Sequence, residues 1–287
     1  MLRLSLHRRR QLMPWIFLGP GLAWLIVFFL IPLVNQANVS LQTGDPETGY
    51  VFNWAFSTYT NAINDYSEHF IRSIGYSAAA TVLCFVIAFP LAYFIAFKAG
   101  RFKNLMLLLI ILPFFVSYVL RTVSWQLILA DNGFVVDTLK TIGLVSEDGR
   151  LLATRTAVIA GITYNFLPFM ALPLYVALEK IDRRLLEAAT DLYASRATAF
   201  RKVTLPLALP GIFAGSLLTF IPACGDFVNA ALLGTPRQYM IGNVIQSRYL
   251  ELNDYPTAAA LSFILMALIL VGLIVYARAV GTERLTG

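Results

Sequence analysis

The sequence is short of charged residues. Asp, Glu, Lys and Arg make up 13% of its 287 residues, whereas a soluble globular domain carries about 25%. The hydrophobic set makes up 58%. Because so few charges cannot cover a water-facing surface, lipid must cover much of this one. The composition therefore excludes an ordinary soluble domain and predicts an integral membrane protein.

Residues that hold metals or activate nucleophiles are also few. The two cysteines, Cys84 and Cys224, lie in apolar runs, and the two histidines, His7 and His69, have no partner at metal-ligand spacing. The sequence lacks the Gly-x-x-x-x-Gly-Lys-Ser/Thr loop that cradles nucleotide phosphates. It also lacks the Gly-x-Ser-x-Gly elbow of hydrolases. We therefore expect no catalytic site, metal or cofactor in this chain, and a membrane enzyme is the weakest functional hypothesis.

Long apolar stretches are what the sequence has instead. About 20 apolar residues are needed for a helix to cross roughly 30 Å of hydrocarbon. Six stretches reach that length, at positions 14–34, 73–97, 104–130, 156–178, 203–225 and 255–277. Arg121, in the third, is the one charged residue inside them. The pattern predicts an all-α protein in which residues 1–287 form a single domain of six transmembrane helices.

The basic residues are distributed unevenly between the segments that join these stretches. With a cytoplasmic N-terminus, the cytoplasmic segments hold 15 of the 22 Lys and Arg residues but only 5 of the 16 acids. The basic residues concerned are Arg3, Arg8, Arg9, Arg10, Lys98, Arg101, Lys103, Lys180, Arg183, Arg184, Arg196, Arg201, Lys202, Arg278 and Arg284. This excess obeys the positive-inside rule, which the inverted orientation would break. We therefore expect both termini in the cytoplasm.

The loop 179–202, between the fourth and fifth stretches, has the signals of two capped helices. Asp182 precedes a run of good helix formers, and Ser195 precedes a second helix that runs into the fifth stretch. The first helix has an apolar face, which comprises Ile181, Leu185, Ala188, Ala189 and Leu192. A docking surface needs such a pair of helices, whereas an exposed loop does not. The alternative is a helix that lies on the membrane surface.

A family pattern is visible in this loop. Glu187-Ala188-Ala189 is followed by Tyr193 and then by Val203-Thr204-Leu205-Pro206. This resembles the EAA loop of binding-protein-dependent ABC importer permeases: Glu-Ala-Ala, three residues, Gly, nine residues, an aliphatic residue, any residue, Leu-Pro. The resemblance implies a coupling helix that sits in a groove of a cytoplasmic ATPase. The implied contact residues are Leu185, Glu187, Ala188, Ala189, Asp191, Leu192 and Tyr193.

Tyr193 departs from that pattern, which has glycine at this position. Glycine would serve a turn with positive φ between the two helices. A bulky residue in that conformation costs roughly 1 kcal/mol or more. We expect Tyr193 either to adopt a different turn or to pack its ring on the partner.

Further segments resemble the spermidine/putrescine branch of these permeases. They are Pro113-Phe114-Phe115, Leu167-Pro168-Phe169-Met170, Gly225-Asp226-Phe227 and Ile241-Gly242-Asn243-Val244-Ile245. The resemblance implies a permease that forms half of a pathway for polyamines. Since permeases of this kind resemble one another even when their cargo differs, an importer for another small solute is the alternative.

The same resemblance implies the architecture and the partners. The fold is expected to be that of a type I ABC importer permease, the MetI-like fold, in a bacterial plasma membrane. The expected partners are ATP-binding subunits that hold ATP and Mg, a second homologous permease chain and an extracytoplasmic binding protein, with the lipid bilayer around them and no nucleic acid. A stand-alone secondary transporter is the other alternative, but its expected internal repeats and ion-coupling acids are absent from the sequence.

Charged and aromatic residues supply candidates for the pathway. Aromatic rings bind ammonium groups by cation–π contact, although membrane aromatics also serve packing and interface belts. The candidates are Phe114, Phe115, Tyr118, Trp125, Tyr164, Phe166 and Phe169. Asp226 is expected to contact a cationic cargo, to pair with Arg121 or to begin an external loop. Arg121 is expected either to line a cavity, paired with an acid, or to extend toward the outer headgroups.

Overall fold

The computed structural model describes residues 17–143, 145–146 and 148–280. Eleven helices and one hairpin organise this part of the chain. They are α1 (Phe17–Ser40), β1 (Gln42–Asp45), β2 (Gly49–Phe52), α2 (Ser57–Phe97), α3 (Lys103–Ile111), α4 (Tyr118–Ile128), α5 (Phe134–Thr141), α6 (Arg155–Glu179), α7 (Arg183–Asp191), α8 (Arg196–Cys224), α9 (Val228–Leu233), α10 (Ile241–Gln246) and α11 (Tyr255–Val280). The start of the first predicted stretch, His7 and the N-terminal basic residues lie outside the described residues. The predicted all-α class is confirmed.

The helices that are long enough to span a membrane match the predicted stretches with one difference. Among the described residues, α1, α2, α6, α8 and α11 are each long and apolar enough to cross a membrane. A sixth span exists if the bent pair Gly100–Phe115 and Tyr118–Ile128 counts as one. Each of the six predicted stretches therefore falls on helix, and the third falls on the bent pair.

The third stretch, which the sequence predicts as a single transmembrane helix, is not continuous. Its two arms meet at 95°. A tight helical turn, Leu112–Phe115, ends the first arm, and Val116 and Ser117 then adopt extended ψ angles of 137° and 138°. Pro113 in that turn has no N–H to continue the helical ladder. Hydropathy counts apolar residues and does not register such a break, so the sequence predicted the stretch but not its interruption.

The second stretch is longer than predicted. It is the C-terminal part of α2, which has 41 residues and a length of about 60 Å at 1.5 Å per residue. Residues 57–72 contain neither glycine nor proline, so the helix begins well before its apolar part. Pro90 lies inside it.

The chain forms two compact units. The first comprises 17–65 and 247–264. In it, β1 and β2 pair antiparallel, with Gln42 opposite Phe52. The carboxylate of Asp45 accepts hydrogen bonds from the N–H groups of Glu47 and Thr48 in the hairpin turn, and the bonds from Thr48 are the main reason that its pKa is lowered.

The second unit comprises 66–246 and 265–280, and its core is built on α6. Buried residues follow α6 along most of its length, from Ala157 to Leu178. Helix α8 packs directly against it at glycines: a Cβ on Gly211 would lie 2.8 Å from the Pro173 carbonyl oxygen, and one on Gly215 would lie 2.8 Å from the Met170 sulfur. Small residues allow such close approach of helices in membranes.

Candidate translocation site and coupling surface

Asp226 lies at the junction of α8 and α9 and is only 6% exposed. Its Oδ1 accepts hydrogen bonds from the N–H groups of Val228 (2.9 Å) and Asn229 (3.2 Å), the first residues of α9. Its Oδ2 accepts from the Tyr118 hydroxyl (2.7 Å) and from Asn229 Nδ2 (2.5 Å). Asp226 is thus buried and held by four donors rather than exposed in an external loop.

These bonds belong to a larger polar network made of Tyr118, Thr122, Asn165, Asp226 and Asn229. Asn165 Nδ2 donates to Asn229 Oδ1 and to Thr122 Oγ1, both at 3.2 Å. The sequence did not identify Asn165, Asn229 and Thr122 as site residues. The available signal was an amide inside an otherwise apolar stretch.

The depth of the polar network follows from helix geometry. Asn165 precedes Glu179 by 14 residues of continuous helix, about 21 Å along α6. Glu179, the last residue of α6, forms an ion pair with Lys103 at the start of α3. At its other end, α6 begins with Arg155, 10 residues before Asn165. A helix of this length crosses roughly 30 Å of hydrocarbon, so a bilayer that α6 spans encloses the network. Ionisable residues at such depth are costly and mark functional sites.

Beside the polar network lies an aromatic cluster, which comprises Phe114, Tyr118, Phe166 and Phe169. Ring centroids are 5.1 Å apart for Phe114 and Phe169, 5.9 Å for Phe166 and Phe169, and 6.1 Å for Tyr118 and Phe166. The cluster therefore joins the two sides of the bend to α6. Its hydroxyl-bearing member, Tyr118, connects it to Asp226.

The other aromatic candidates lie apart from the cluster. Trp125 of α4 and Tyr164 of α6 form a separate pair with centroids 5.5 Å apart. Phe115 is 81% exposed and points away from these contacts. Of the predicted pathway aromatics, four thus form the cluster, Trp125 and Tyr164 form a separate pair, and Phe115 has neither contact.

Arg121 is 7% exposed and lies over two rings of the aromatic cluster. Its Cζ is 5.6 Å from the Phe114 centroid and 5.7 Å from the Tyr118 centroid. Its Nε and Nη1 have no hydrogen-bond partner, and within the described part of the chain no acid lies within ion-pair distance of it. Arg121 is therefore neither paired with Asp226 nor extended to a surface.

An apolar groove of about 860 Å³ runs between α6 and α8. Its walls are residues of these two helices, with Phe169 at one end, together with Lys180, Asp182 and Leu185 at the α7 end. Because Phe169 also belongs to the aromatic cluster, the α6–α8 groove leads from the α7 region to that cluster. The order along α6 places the cluster at the end of the groove far from α7.

Helices α7 and α8 each begin with the cap that the sequence predicted. The Asp182 side chain accepts from the N–H of Arg184 (2.9 Å), and the Ser195 hydroxyl accepts from the N–H of Thr198 (3.2 Å). The predicted coupling residues are at its surface: Ala189 is half-buried, and Leu185, Glu187, Ala188, Asp191, Leu192 and Tyr193 are exposed. The chain thus presents a capped amphipathic helix with an uncovered face.

Tyr193 adopts the glycine-type turn rather than a different one. Its φ is +58°, and the N–H of Ala194 donates to the carbonyl of Ala189 at 3.0 Å. The side chain is 98% exposed. The chain itself gives the ring no packing that would offset the backbone strain.

An apolar helical unit with a buried polar network, a groove leading to it and an exposed amphipathic helix has the features of a membrane-embedded transporter subunit. Residues 88–280 match the family described as "Binding-protein-dependent transport system inner membrane component". The chain belongs to this family, and it is a multi-pass protein of the inner membrane.

Individual relatives agree with the family match. The chain is 40% identical to the spermidine/putrescine transport system permease protein PotB of Haemophilus influenzae, covering 90% of each chain. It is 35% identical to PotB of Escherichia coli, covering 89% of this chain and 94% of that protein. The molybdenum transport system permease protein ModB of Mycobacterium bovis is 28% identical over 93% of this chain and 96% of its own.

Solved structures give the same fold. A bacterial alginate ABC transporter in complex with an alginate pentasaccharide-bound periplasmic protein matches with a TM-score of 0.73 and 20% identity, covering 99% of each chain. The inward-facing MetNI methionine ABC transporter matches with a TM-score of 0.56 and 19% identity, covering 75% of this chain and 95% of that one. At these identities the likeness concerns the fold alone, which is that of ABC importer permease chains.

Proposed function

We propose that this chain is the permease subunit of an ABC importer for polyamines such as spermidine and putrescine, and that 1–287 act as one permease domain. The observation that carries the proposal is the 40% identity with a spermidine/putrescine permease across 90% of both chains. The chain forms half of the translocation pathway. An extracytoplasmic binding protein delivers the cargo.

The buried site has chemistry suited to such a cargo. A polyamine carries ammonium groups on a flexible chain, and each must exchange its hydration for aromatic faces and acceptors. Cation–π contacts supply about 0.5–2 kcal/mol each, and the aromatic cluster provides several rings within about 6 Å of one another. Asp226, together with these rings and with Trp125 and Tyr164, supports weak, charge-selective passage. Weak binding suits a pathway because the binding protein performs the capture.

Energy comes from a separate subunit in this proposal. The exposed face of α7 docks into a cytoplasmic ATPase, which holds ATP and Mg and performs hydrolysis, so the chain itself is not catalytic. Docking there requires a cytoplasmic α7, and both termini then lie in the cytoplasm. A second homologous permease covers the open side of the α6–α8 groove and completes the pathway.

One observation favours a second candidate, an importer for an anionic solute. Arg121 is buried with free N–H donors, which an anion would satisfy. The molybdenum permease relative, at 28% identity, is a member of the same family with a different cargo in its name. Transport assays distinguish the two candidates.

The proposal is tested in membrane vesicles that contain the complete importer from its host. ATP-dependent uptake of labelled spermidine and putrescine is compared with uptake of labelled molybdate and of a neutral sugar. We expect uptake of at least one polyamine and none of the other solutes. Uptake of molybdate without polyamine uptake would establish the anionic candidate and reject the polyamine cargo.

A further inference from the structure

Arg121 and Asp226 are opposite charges that both contact Tyr118 without pairing with each other. Both are more than nine-tenths buried, and both contact Tyr118: Asp226 through the phenol hydroxyl (2.7 Å) and Arg121 over the ring (5.7 Å). Asp226 already accepts four hydrogen bonds, and none of them comes from the guanidinium of Arg121. A buried charge without a counter-charge is costly, so local stability does not account for Arg121.

The guanidinium occupies the place where an ammonium group would be bound. Cation–π recognition requires a cation within about 6 Å of a ring centroid. Arg121 meets that distance on Phe114 and Tyr118 at once. A cargo cation that reaches these two rings finds a cation already there.

The position of Arg121 is suited to a barrier between the groove and the polar network. The α6–α8 groove reaches the aromatic cluster at Phe169, and Phe169 contacts Phe114. Arg121 lies over the Phe114 ring and over the Tyr118 ring, and the Tyr118 hydroxyl donates to the buried Asp226. The contact of Arg121 with Phe114 also crosses the 95° bend, so the side chain links the two arms of the broken helix.

We propose that Arg121 is a resident cation that occupies the ammonium site of the aromatic cluster and keeps small monovalent cations out of the pathway. This inference rests on the proposed function, and it adds the selectivity of that site. A monovalent ammonium ion has one charge with which to replace the tethered guanidinium and gains no further contact. A polyamine holds on to neighbouring rings with its other ammonium groups while one of them displaces Arg121.

The test measures leak, which a merely structural arginine would not control. The complete importer is reconstituted in proteoliposomes without ATP, and entry of labelled methylammonium is driven by an inside-negative potassium diffusion potential. We expect background entry for the wild type and at least about a fivefold increase for Arg121→Gln. Arg121→Lys, which keeps a cation over the rings, should stay at background. Arg155→Gln removes the same group at an exposed position of α6 and should also stay at background.

Two results would overturn the inference: background entry in Arg121→Gln, or equal leak in Arg121→Lys and Arg121→Gln. If Arg121→Gln fails to assemble, Phe114→Leu is measured instead. This variant keeps the charge of Arg121 but removes one of the two rings that the guanidinium contacts. Raised methylammonium entry in Phe114→Leu supports the inference, and background entry rejects it. Since no assay of this set uses polyamine uptake, a failed cargo assignment is seen separately, in the ATP-dependent uptake of spermidine by the wild type.

Discussion

At the scale of single residues, Tyr193 has a strained backbone, and its side chain makes no packing contact within the described chain that offsets the strain. A non-glycine residue at φ +58° is strained by roughly 1–2 kcal/mol because its Cβ approaches the following carbonyl. The exposed ring does not recover that energy within the chain. The strain explains why the family pattern has glycine at this position. The exposed ring is a group available to a partner.

We therefore expect Tyr193→Gly to be tolerated and to raise the stability of the purified complex by about 1 kcal/mol, because it removes this strain. Tyr193→Ala is the matched control, since alanine loses the ring but keeps the strained Cβ. Thermal unfolding followed by size-exclusion chromatography ranks the two variants, and cargo-stimulated ATP hydrolysis reports coupling. A glycine variant less stable than the alanine variant would contradict the expectation.

Asp226 is the second residue that supports a prediction. Asp226→Asn keeps one acceptor oxygen for the N–H groups that open α9, but it removes the negative charge. We expect uptake of spermidine and putrescine to fall at least several-fold, because the pathway loses its buried anion, while expression and basal ATP hydrolysis persist.

Asp65→Asn, at an exposed position of α2, provides the control for loss of an acid elsewhere. Unchanged uptake in Asp226→Asn would show that the carboxylate serves only to cap α9. A parallel loss in Asp65→Asn would mean that the effect reflects overall charge rather than this site.

At the scale of elements, the sequence predicted caps and faces better than it predicted breaks. Asp182 and Ser195 were identified because capping depends on one side chain and its next few neighbours. The bend at Val116–Ser117 is different: Pro113 is a local sign that the helical ladder can break, but it does not give the angle between the two arms. The pairing within the polar network is not local either, since Asn165 and Asn229 are 64 residues apart and meet only in the folded chain.

The prediction at the scale of elements concerns helix α7. Ala188 is exposed, so a larger side chain there meets nothing within the chain but obstructs close approach of a partner. We expect Ala188→Trp to insert normally in the membrane and either to release the ATPase or to abolish cargo-stimulated hydrolysis. Co-purification of the ATPase and hydrolysis assays in proteoliposomes measure both effects.

The control for this variant uses the same helix. Thr190 is exposed and lies two residues away, about 200° around the helix from Ala188. Thr190→Trp should therefore leave stimulated hydrolysis intact. Normal stimulation in Ala188→Trp would argue against docking through this face, and equal losses in both variants would point to a general effect of tryptophan on α7.

At the scale of the whole molecule, most of the architecture follows from solvation. An apolar stretch of about 20 residues has few alternatives to a helix in lipid, because every backbone polar group must be satisfied internally. This constraint made five of the six stretches predictable from composition alone. Nothing in it selects which helices pack together, so the α6–α8 contact through Gly211 and Gly215 became visible only in the structure.

The orientation of the molecule in the membrane supplies the last prediction. With a cytoplasmic N-terminus, the basic residues of the cytoplasmic segments outnumber the acids, 15 to 5, and this asymmetry predicts the α2–α3 connection inside and the α5–α6 connection outside. Ser146 is exposed in the latter connection, while the native Cys84 and Cys224 are buried and contribute little background. A membrane-impermeant maleimide should therefore label Ser146→Cys from outside intact cells. Arg101→Cys, exposed in the α2–α3 connection, should react only after permeabilisation. The reverse pattern would invert the molecule, place α7 outside, and remove the physical basis for its docking to a cytoplasmic ATPase.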